Sequence, residues 1–162
     1  MSVRVRPLRR DDAPAVAELA AAFANYLRAL GDAGPHNLTA EAIQRDGFGP
    51  QPAFAGLVAV DAAATGDAQG IVGHLLYHLG YDADLTARNL HVIDLYVRPA
   101  ARRQGAGRAL MQAAARLCRE AGGAYLFWAV YTPNHLAADF YTALGARYVE
   151  DLDFMVLAPA SL

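Results

Sequence analysis

Apolar and polar residues alternate over positions 3 to 8, which predicts a short strand near the start of the chain. The apolar residues that follow recur every three or four positions as far as residue 30, which predicts a helix with one apolar face. That face consists of Val16, Leu19, Phe23, Leu27 and Leu30. Pro14 fits the first turn of this helix, and Asp11 or Asp12 can cap it.

The rest of the pattern predicts a second, short helix capped by Thr39, followed by alternating strands and helices. The expected strands are 53–60, 70–81, 91–97 and 124–130, with helices at 105–121 and 134–144 and a closing strand or hairpin at 146–157. The order β-α-α-β-β-β-α-β-α-β indicates an α/β fold, an α+β arrangement with a mixed sheet flanked by helices. No repeat or linker divides the pattern, so we expect a single domain over residues 1–162.

Length, composition and net charge indicate which class of protein to expect. The chain has 162 residues, of which 55% are hydrophobic and 19% charged, as expected of a compact globular protein. Its net charge of −2 favours neither nucleic acid nor an anionic membrane as a partner. No signal peptide and no run of about 18 apolar residues is visible, so we expect a cytoplasmic protein without a membrane partner.

Several kinds of chemistry are excluded by absent residues. All 14 basic residues are arginine, so the chain lacks the lysine of a P-loop or a Schiff base. Its only serines are Ser2 and Ser161, and its only cysteine, Cys118, falls within a predicted helix, which disfavours a serine or cysteine nucleophile. His74 and His78 share a strand face without a third ligand, so we expect packing roles and no metal.

A glycine-rich turn between a strand and a helix is the strongest candidate for a binding site. Arg102, Gly105 and Gly107 form the pattern R-x-x-G-x-G, in which free amides of the first helical turn can bind a pyrophosphate. Leu110 stands where a dinucleotide fingerprint has its third glycine, and the lysine of a P-loop is absent. By itself, this pattern is equally typical of a purely structural turn with solvated arginines.

A second motif changes the interpretation of this turn. The stretches LYVRP and RRQGAG are followed by NHLAADFYTALGA, which fits the pattern N-x-x-A-x-x-F-Y-x-x-x-G. Its matching residues are Asn134, Ala137, Phe140, Tyr141 and Gly145. Together the two motifs resemble the acetyl-coenzyme A signature of the GNAT superfamily of N-acetyltransferases. The resemblance implies the GNAT acyl-CoA N-acyltransferase fold over nearly the whole chain, with acetyl-CoA as the cosubstrate.

The resemblance also implies which residues contact acetyl-CoA. The strand before the turn splays from its neighbour in this family, so the pantetheine arm is expected along Leu95, Tyr96 and Val97, where a backbone amide polarises the thioester carbonyl. The pyrophosphate is expected on the turn, at Arg102, Arg103, Gln104, Gly105, Ala106, Gly107 and Arg108. Asn134, Ala137 and Tyr141 are expected near the pantetheine and the sulfur.

The reaction needs a proton acceptor and a proton donor. An alkyl amine has a pKa of about 10.4, so it must lose a proton before it attacks, and the departing thiolate must gain one. By resemblance Tyr141 is the acid, although it can instead be an aromatic that packs beside Phe140. Asp94, a carboxylate in the middle of a strand, is the first candidate for the base, with His91 as the alternative. Asp94 can also be satisfied by hydrogen bonds or lie at a dimer surface.

Three upstream segments carry a narrower resemblance. Residues 38–60, 71–82 and 91–97 are similar to the diamine (spermidine/spermine) acetyltransferases and their thialysine-acetylating relatives. This implies a small-molecule amine as the substrate and a homodimer, with Asp82, Asp94 and His91 as candidates for binding the acceptor. Ile93 replaces an acid that precedes Asp94 in the diamine enzymes.

The acceptor and two rival functions stay open at this stage. The end of the first helix offers only Asp32, with Arg28 nearby, so the preferred amine is expected to be shorter, less charged or carboxylate-bearing. A protein or peptide N-acetyltransferase is one rival, and a non-catalytic acyl-CoA-binding regulatory domain is the other.

Overall fold

The computed structural model describes residues 2–64, 70–150 and 152–161. Its strands are β1 (Val3–Pro7), β2 (Ala55–Asp61), β3 (Ile71–Asp82), β4 (Ala87–Val97) and β5 (Gly123–Phe127), and its helices are α1 (Ala13–Ala29), α2 (Ala40–Phe48), α3 (Ala106–Glu120) and α4 (His135–Ala143). Short 3-10 turns span residues 10–12, 99–101 and 159–161. The predicted α/β class with a mixed sheet is therefore confirmed.

The five strands form one sheet in sequence order, β1-β2-β3-β4-β5. All neighbours are antiparallel except β4 and β5, which are parallel and are connected through α3. Because successive residues of a strand face opposite sides, β2, β3 and β4 each contribute to two apolar clusters. One cluster packs α3 against the sheet, and the other packs α1 and α2 against the opposite face. No helix in the described part of the chain combines the length and hydropathy needed to span a bilayer.

The side chain of Asp12 does not cap α1 as predicted, but it holds the start of this helix through other hydrogen bonds. Asp12 occupies the N-cap position, but its carboxylate accepts hydrogen bonds from Arg6 at 2.6 and 2.8 Å and from the backbone N–H of Arg9 at 2.7 Å. Burial opposes ionisation of Asp12, yet these hydrogen bonds outweigh it and lower the pKa of the carboxyl. The pair therefore ties β1 to α1. In α2, by contrast, Thr39 accepts the N–H of Ala42 at 3.2 Å, as predicted for a cap.

The expected closing strand at residues 146–157 was wrong. The described residues of this segment, 146–150 and 152–158, have no regular secondary structure. Seven of its large apolar side chains are exposed: Tyr148, Val149, Leu152, Phe154, Met155, Val156 and Leu157. Alternating apolar and polar residues favour a strand, but a strand also needs a neighbouring strand to form its backbone hydrogen bonds. No strand of the described chain pairs with this segment, and β5 lies at the edge of the sheet.

Candidate active site

Strands β4 and β5 separate halfway along β4. Their last paired residues are His91 and Phe127, whereas β4 continues to Val97 with β3 as its only partner. The backbone edge from Val92 to Val97 is therefore open towards the end of β5. Such an edge can bind an extended chain through backbone hydrogen bonds, because a strand leaves N–H and C=O groups unpaired along it. Leu95, Tyr96 and Val97, where the splay is expected, lie on this unpaired edge of β4.

A β-bulge lies where the two strands part. Leu76 is opposite Asp94 and Tyr77 is opposite Val92, so Ile93 is an extra residue in β4. A bulge turns neighbouring side chains towards the same face of a sheet. Ile93 and Asp94 accordingly both line the same cleft, on the α1 face of the sheet.

The cleft next to the splayed strands has a volume of about 390 Å³. Its walls come from α1, from the loop between α1 and α2, and from β3 and β4. The lining residues are Ala20, Ala21, Phe23, Pro35, His36, Asn37, Leu38, Phe54, Leu76, Ile93 and Asp94. Among these lining residues Asp94 is the one carboxylate and His36 the one imidazole, so the cleft is mainly apolar with a single acidic group at its base.

The carboxylate of Asp94 contacts His74, a residue for which the sequence predicted only a packing role. Nε2 of His74 lies 2.8 Å from Oδ2 of Asp94, and His74 is fully buried. His74 is opposite Tyr96 while Asp94 is opposite Leu76, so the two side chains are diagonal neighbours on one face of the sheet. Only the register of β3 against β4 reveals this contact; the sequence signal was a histidine in an otherwise apolar strand.

Tyr141 lies on α4 in an aromatic cluster. Its ring centroid is 4.7 Å from that of Trp128 and 5.2 Å from that of Phe140. Burial raises the pKa of Tyr141 well above its ordinary value, and the negative charge of Asp94 raises it further. The phenol is therefore held in its protonated form, which is the form that can donate a proton.

The glycine turn leaves backbone amides free to bind an anion. Gly105 has a φ of +90° and α3 starts at Ala106, with the first intrahelical bond running from the N–H of Ala109 to the carbonyl of Gly105 at 2.9 Å. The N–H groups of residues 106–108 precede that bond, so they have no partner within the helix. A Cβ added at Gly105 would meet nothing within 4 Å, so the space beside the turn is open. These features fit a pyrophosphate.

The arginines of the turn divide into two roles. Nε of Arg102 donates to the carbonyl of Val97 at 2.9 Å, and its guanidinium lies 5.2 Å from the ring centroid of Tyr26 and 5.4 Å from that of Tyr96. Arg102 thus fixes the turn against β4 and α1. Arg103 and Arg108 are exposed and carry the positive charge that remains available to an anion. The side chain of Gln104 donates to the carbonyl of Ala100 at 2.8 Å.

The two sequence motifs lie side by side in the fold. A Cβ added at Gly107 on α3 would come 3.1 Å from the ring of Phe140 on α4, so glycine permits the close approach of these helices. Asn134 caps α4: its Oδ1 accepts the N–H of Ala137 at 3.2 Å and the hydroxyl of Tyr26 at 2.8 Å. This brings the start of α4 next to α1 and the turn.

Two of the predicted acceptor residues lie away from the cleft. His91 is 3.0 Å from His78 and stacks on Phe127, and its pKa is lowered, chiefly by burial and then by the charge of His78. Asp82 accepts the hydroxyl of Tyr125 at 2.6 Å, which is the main reason its pKa is lowered. Neither His91 nor Asp82 is among the cleft's lining residues. No metal-binding group of three His, Cys, Asp or Glu side chains occurs in the described part of the chain.

Comparison with known proteins shows that this chain is similar to acetyltransferases. Residues 19–146 match the model of the Acetyltransferase (GNAT) family. The thialysine N-epsilon-acetyltransferase of Bos taurus is 34% identical over 147 residues, which cover 90% of this chain and 84% of the bovine protein. The enzyme of the same name from Mus musculus is 32% identical over 148 residues, covering 90% of this chain and 85% of its own length.

Solved structures with the same fold include acetyltransferases of different specificity. An aminoglycoside acetyltransferase from an uncultured soil metagenomic sample superposes with a TM-score of 0.70 at 21% identity, covering 96% of this chain and 95% of that one. The ribosomal-protein-alanine N-acetyltransferase of Brucella melitensis biovar Abortus 2308 superposes with a TM-score of 0.75 at 19% identity, covering 97% and 99%. At these identities the likeness extends to the fold alone.

Proposed function

The chain belongs to the GNAT family of acetyltransferases, and from that membership we propose that it acetylates a primary amine of a small molecule. The observation that carries the proposal is the position of Asp94 in a mainly apolar cleft, beside the point where β4 and β5 separate. A donor bound along the open edge of β4 and an amine bound in the cleft would meet at this point. The thialysine-acetylating relatives support an amino-acid-like acceptor.

Acetyl-CoA, the cosubstrate of GNAT enzymes, supplies the acetyl thioester. Backbone groups of Leu95, Tyr96 and Val97 bind its pantetheine arm in the manner of a neighbouring strand, and one N–H there hydrogen-bonds the thioester carbonyl. Amides of residues 105–108, with the charges of Arg103 and Arg108, bind the pyrophosphate. Tight packing of Gly107 against Phe140 supports this assignment, because it brings α4 next to the turn.

Asp94 and Tyr141 carry the two proton transfers. Asp94 binds the ammonium form of the acceptor and takes its proton, directly or through one water, so that the neutral amine can attack the carbonyl. Tyr141 holds its proton at neutral pH and donates it to the departing sulfur. His91 is less suited to act as the base, because it contacts His78 and Phe127 and lies about 7 Å from Asp94 along the strand.

The charge of the cleft favours an acceptor whose far end carries no net positive charge. Asp32 already accepts the N–H of Gly34 at 2.8 Å and lies 3.2 Å from His36, so its carboxylate has partners within its own loop. Asp94 then remains as the single acid to attract a cation. A lysine analogue, whose amino-acid end is a zwitterion, fits this arrangement better than a long polyamine does.

We also propose that the protein is a homodimer. The exposed apolar residues between Tyr148 and Leu157 and the open edge of β5 are two surfaces that soluble monomers seldom leave uncovered. The family match over residues 19–146 supports the prediction of one domain. A cytoplasmic location stays a prediction from the sequence.

A substrate screen tests the proposed function. Consumption of acetyl-CoA should be measured with thialysine, lysine, spermidine, spermine, an aminoglycoside and short peptides. We expect the highest kcat/KM with thialysine or lysine, and a clear decrease with spermine. Activity confined to peptides would refute the small-molecule assignment. Tight acetyl-CoA binding without acetylation of any amine would instead favour a non-catalytic acyl-CoA-binding protein.

A further inference from the structure

His74 is a fully buried histidine, and its two ring nitrogens have different surroundings. Nε2 lies 2.8 Å from Oδ2 of Asp94, whereas Nδ1 is buried and has no hydrogen-bond partner among the described residues. Because an unsatisfied buried polar atom is costly, such an arrangement persists only if the Nε2 contact compensates for it. Within the described part of the chain, the polar contact of His74 is therefore the carboxylate in the cleft.

We propose that His74 is a positioning residue for Asp94: it donates Nε2–H to Oδ2 and thereby fixes the carboxylate in the orientation that leaves Oδ1 available to the acceptor amine. This inference rests on the proposed function, because it assigns Asp94 the role of receiving the amine's proton. The donor role of Nε2 follows from the surroundings of His74. A ring proton on Nδ1 would be buried without an acceptor among the described residues, and Nε2 would then face Oδ2 with a lone pair.

Two substitutions of His74 separate hydrogen bonding from packing. In His74→Gln the side-chain amide can still donate near the position of Nε2, whereas in His74→Leu the donor is lost. We expect His74→Leu to lower kcat by roughly 10- to 100-fold, a loss typical of removing an outer hydrogen-bond partner. His74→Gln should restore most of kcat, and the exposed His78→Leu should behave as wild type.

A double-mutant cycle shows whether His74 acts through Asp94. In an Asp94→Asn background, His74→Leu should cause little further loss of kcat. An equal loss in both backgrounds, or a His74→Gln variant as impaired as His74→Leu, would each overturn the proposal. The melting temperature and the Kd for acetyl-CoA, measured for every variant, identify losses that come from misfolding.

A spectroscopic measurement tests the same contact without reference to activity. In the ¹⁵N-labelled protein the imidazole of His74 should carry its proton on Nε2, and this proton should exchange slowly and lose its protection in Asp94→Asn. An Nδ1–H tautomer would refute the proposal. If the wild-type protein acetylates no amine while this signature is present, the proposed function fails and the pairing of His74 with Asp94 stands.

Discussion

At the scale of single residues, Tyr141 keeps its proton well into the alkaline range, because burial and the charge of Asp94 both oppose ionisation of its phenol. A free tyrosine has a pKa of about 10, so a pKa raised above that value leaves Tyr141 protonated at every pH at which enzymes are usually assayed. Loss of its proton therefore should not contribute an alkaline limb to kcat below about pH 10.

Replacing Tyr141 with Phe removes this proton while keeping the ring against Trp128 and Phe140. We expect kcat to fall by about 10²- to 10⁴-fold, the usual contribution of a positioned general acid, while the Kd for acetyl-CoA stays unchanged. Tyr125→Phe is the matched control, because Tyr125 hydrogen-bonds Asp82 outside the cleft. Steady-state kinetics and calorimetric titration measure the two quantities. Turnover that is unaffected in Tyr141→Phe would remove Tyr141 from the mechanism.

The candidate site could be predicted from the sequence where a residue belongs to a local motif. Tyr141 and the glycine turn are candidates because they belong to such motifs, and Asp94 is a candidate because a carboxylate in the middle of a strand is costly unless it is paired or functional. The contact between His74 and Asp94 depends on how β3 pairs with β4 across a bulge, which no local pattern encodes. The internal role of Arg102 is likewise a tertiary contact, because one of its ring partners belongs to α1.

At the scale of secondary-structure elements, the junction between β1 and α1 depends on one buried ion pair. Asp12 accepts two hydrogen bonds from Arg6, and both side chains are less than 8% exposed. Asp12→Asn removes one charge and leaves the guanidinium of Arg6 in a buried position. We expect the free energy of unfolding to fall by about 3–5 kcal/mol, as is usual when one partner of a buried pair is removed.

The exposed pair of Arg45 and Asp46 on α2 provides the control for this prediction. Asp46→Asn should leave the free energy of unfolding nearly unchanged, because solvent screens an exposed pair. Since the pKa of Asp12 is lowered in the folded protein, its stabilisation is present above the ordinary carboxyl pKa of about 3.9 and is lost as the pH falls further. Urea titrations at pH 7 and pH 3 should therefore differ less for Asp12→Asn than for wild type.

The elements themselves were largely predictable, with one instructive exception. Apolar periodicity located α1, α3 and α4 to within about two residues at each end, and α1 and α3 each bury one face against the sheet. The segment 146–157 has the same strand-like pattern as β3 but lacks a partner in the described chain. The pattern of apolar side chains indicates which face of a segment would be buried. The conformation of the segment also depends on whether a neighbouring strand is available to pair with it.

At the scale of the whole molecule, these exposed side chains point to self-association. Phe154, Met155 and Val156 are 83%, 96% and 97% exposed, so covering them would remove a large apolar area from water. We expect sedimentation velocity at micromolar concentration to show a dimer. The double substitution of Phe154 and Val156 with Glu should give a monomer, because two buried charges oppose the interface.

Leu85→Glu is the matched control for this experiment, since Leu85 is an exposed apolar residue in the turn between β3 and β4. It should sediment as the wild-type protein does. A wild-type monomer would contradict the homodimer. A dimer that persists in the double variant would place the interface elsewhere on the surface.

The bulge at Ile93 also provides a position at which this fold can change its preference for an acceptor. Two consecutive side chains of β4 share the cleft, although consecutive positions of a regular strand point to opposite faces. Position 93 is therefore a second place for a charge beside Asp94, and in this chain an apolar residue fills it. A substitution there alters the charge presented to the acceptor by one unit while Leu76 and Val92 keep their places in the core. Acceptor preference and sheet architecture can thus vary independently of each other.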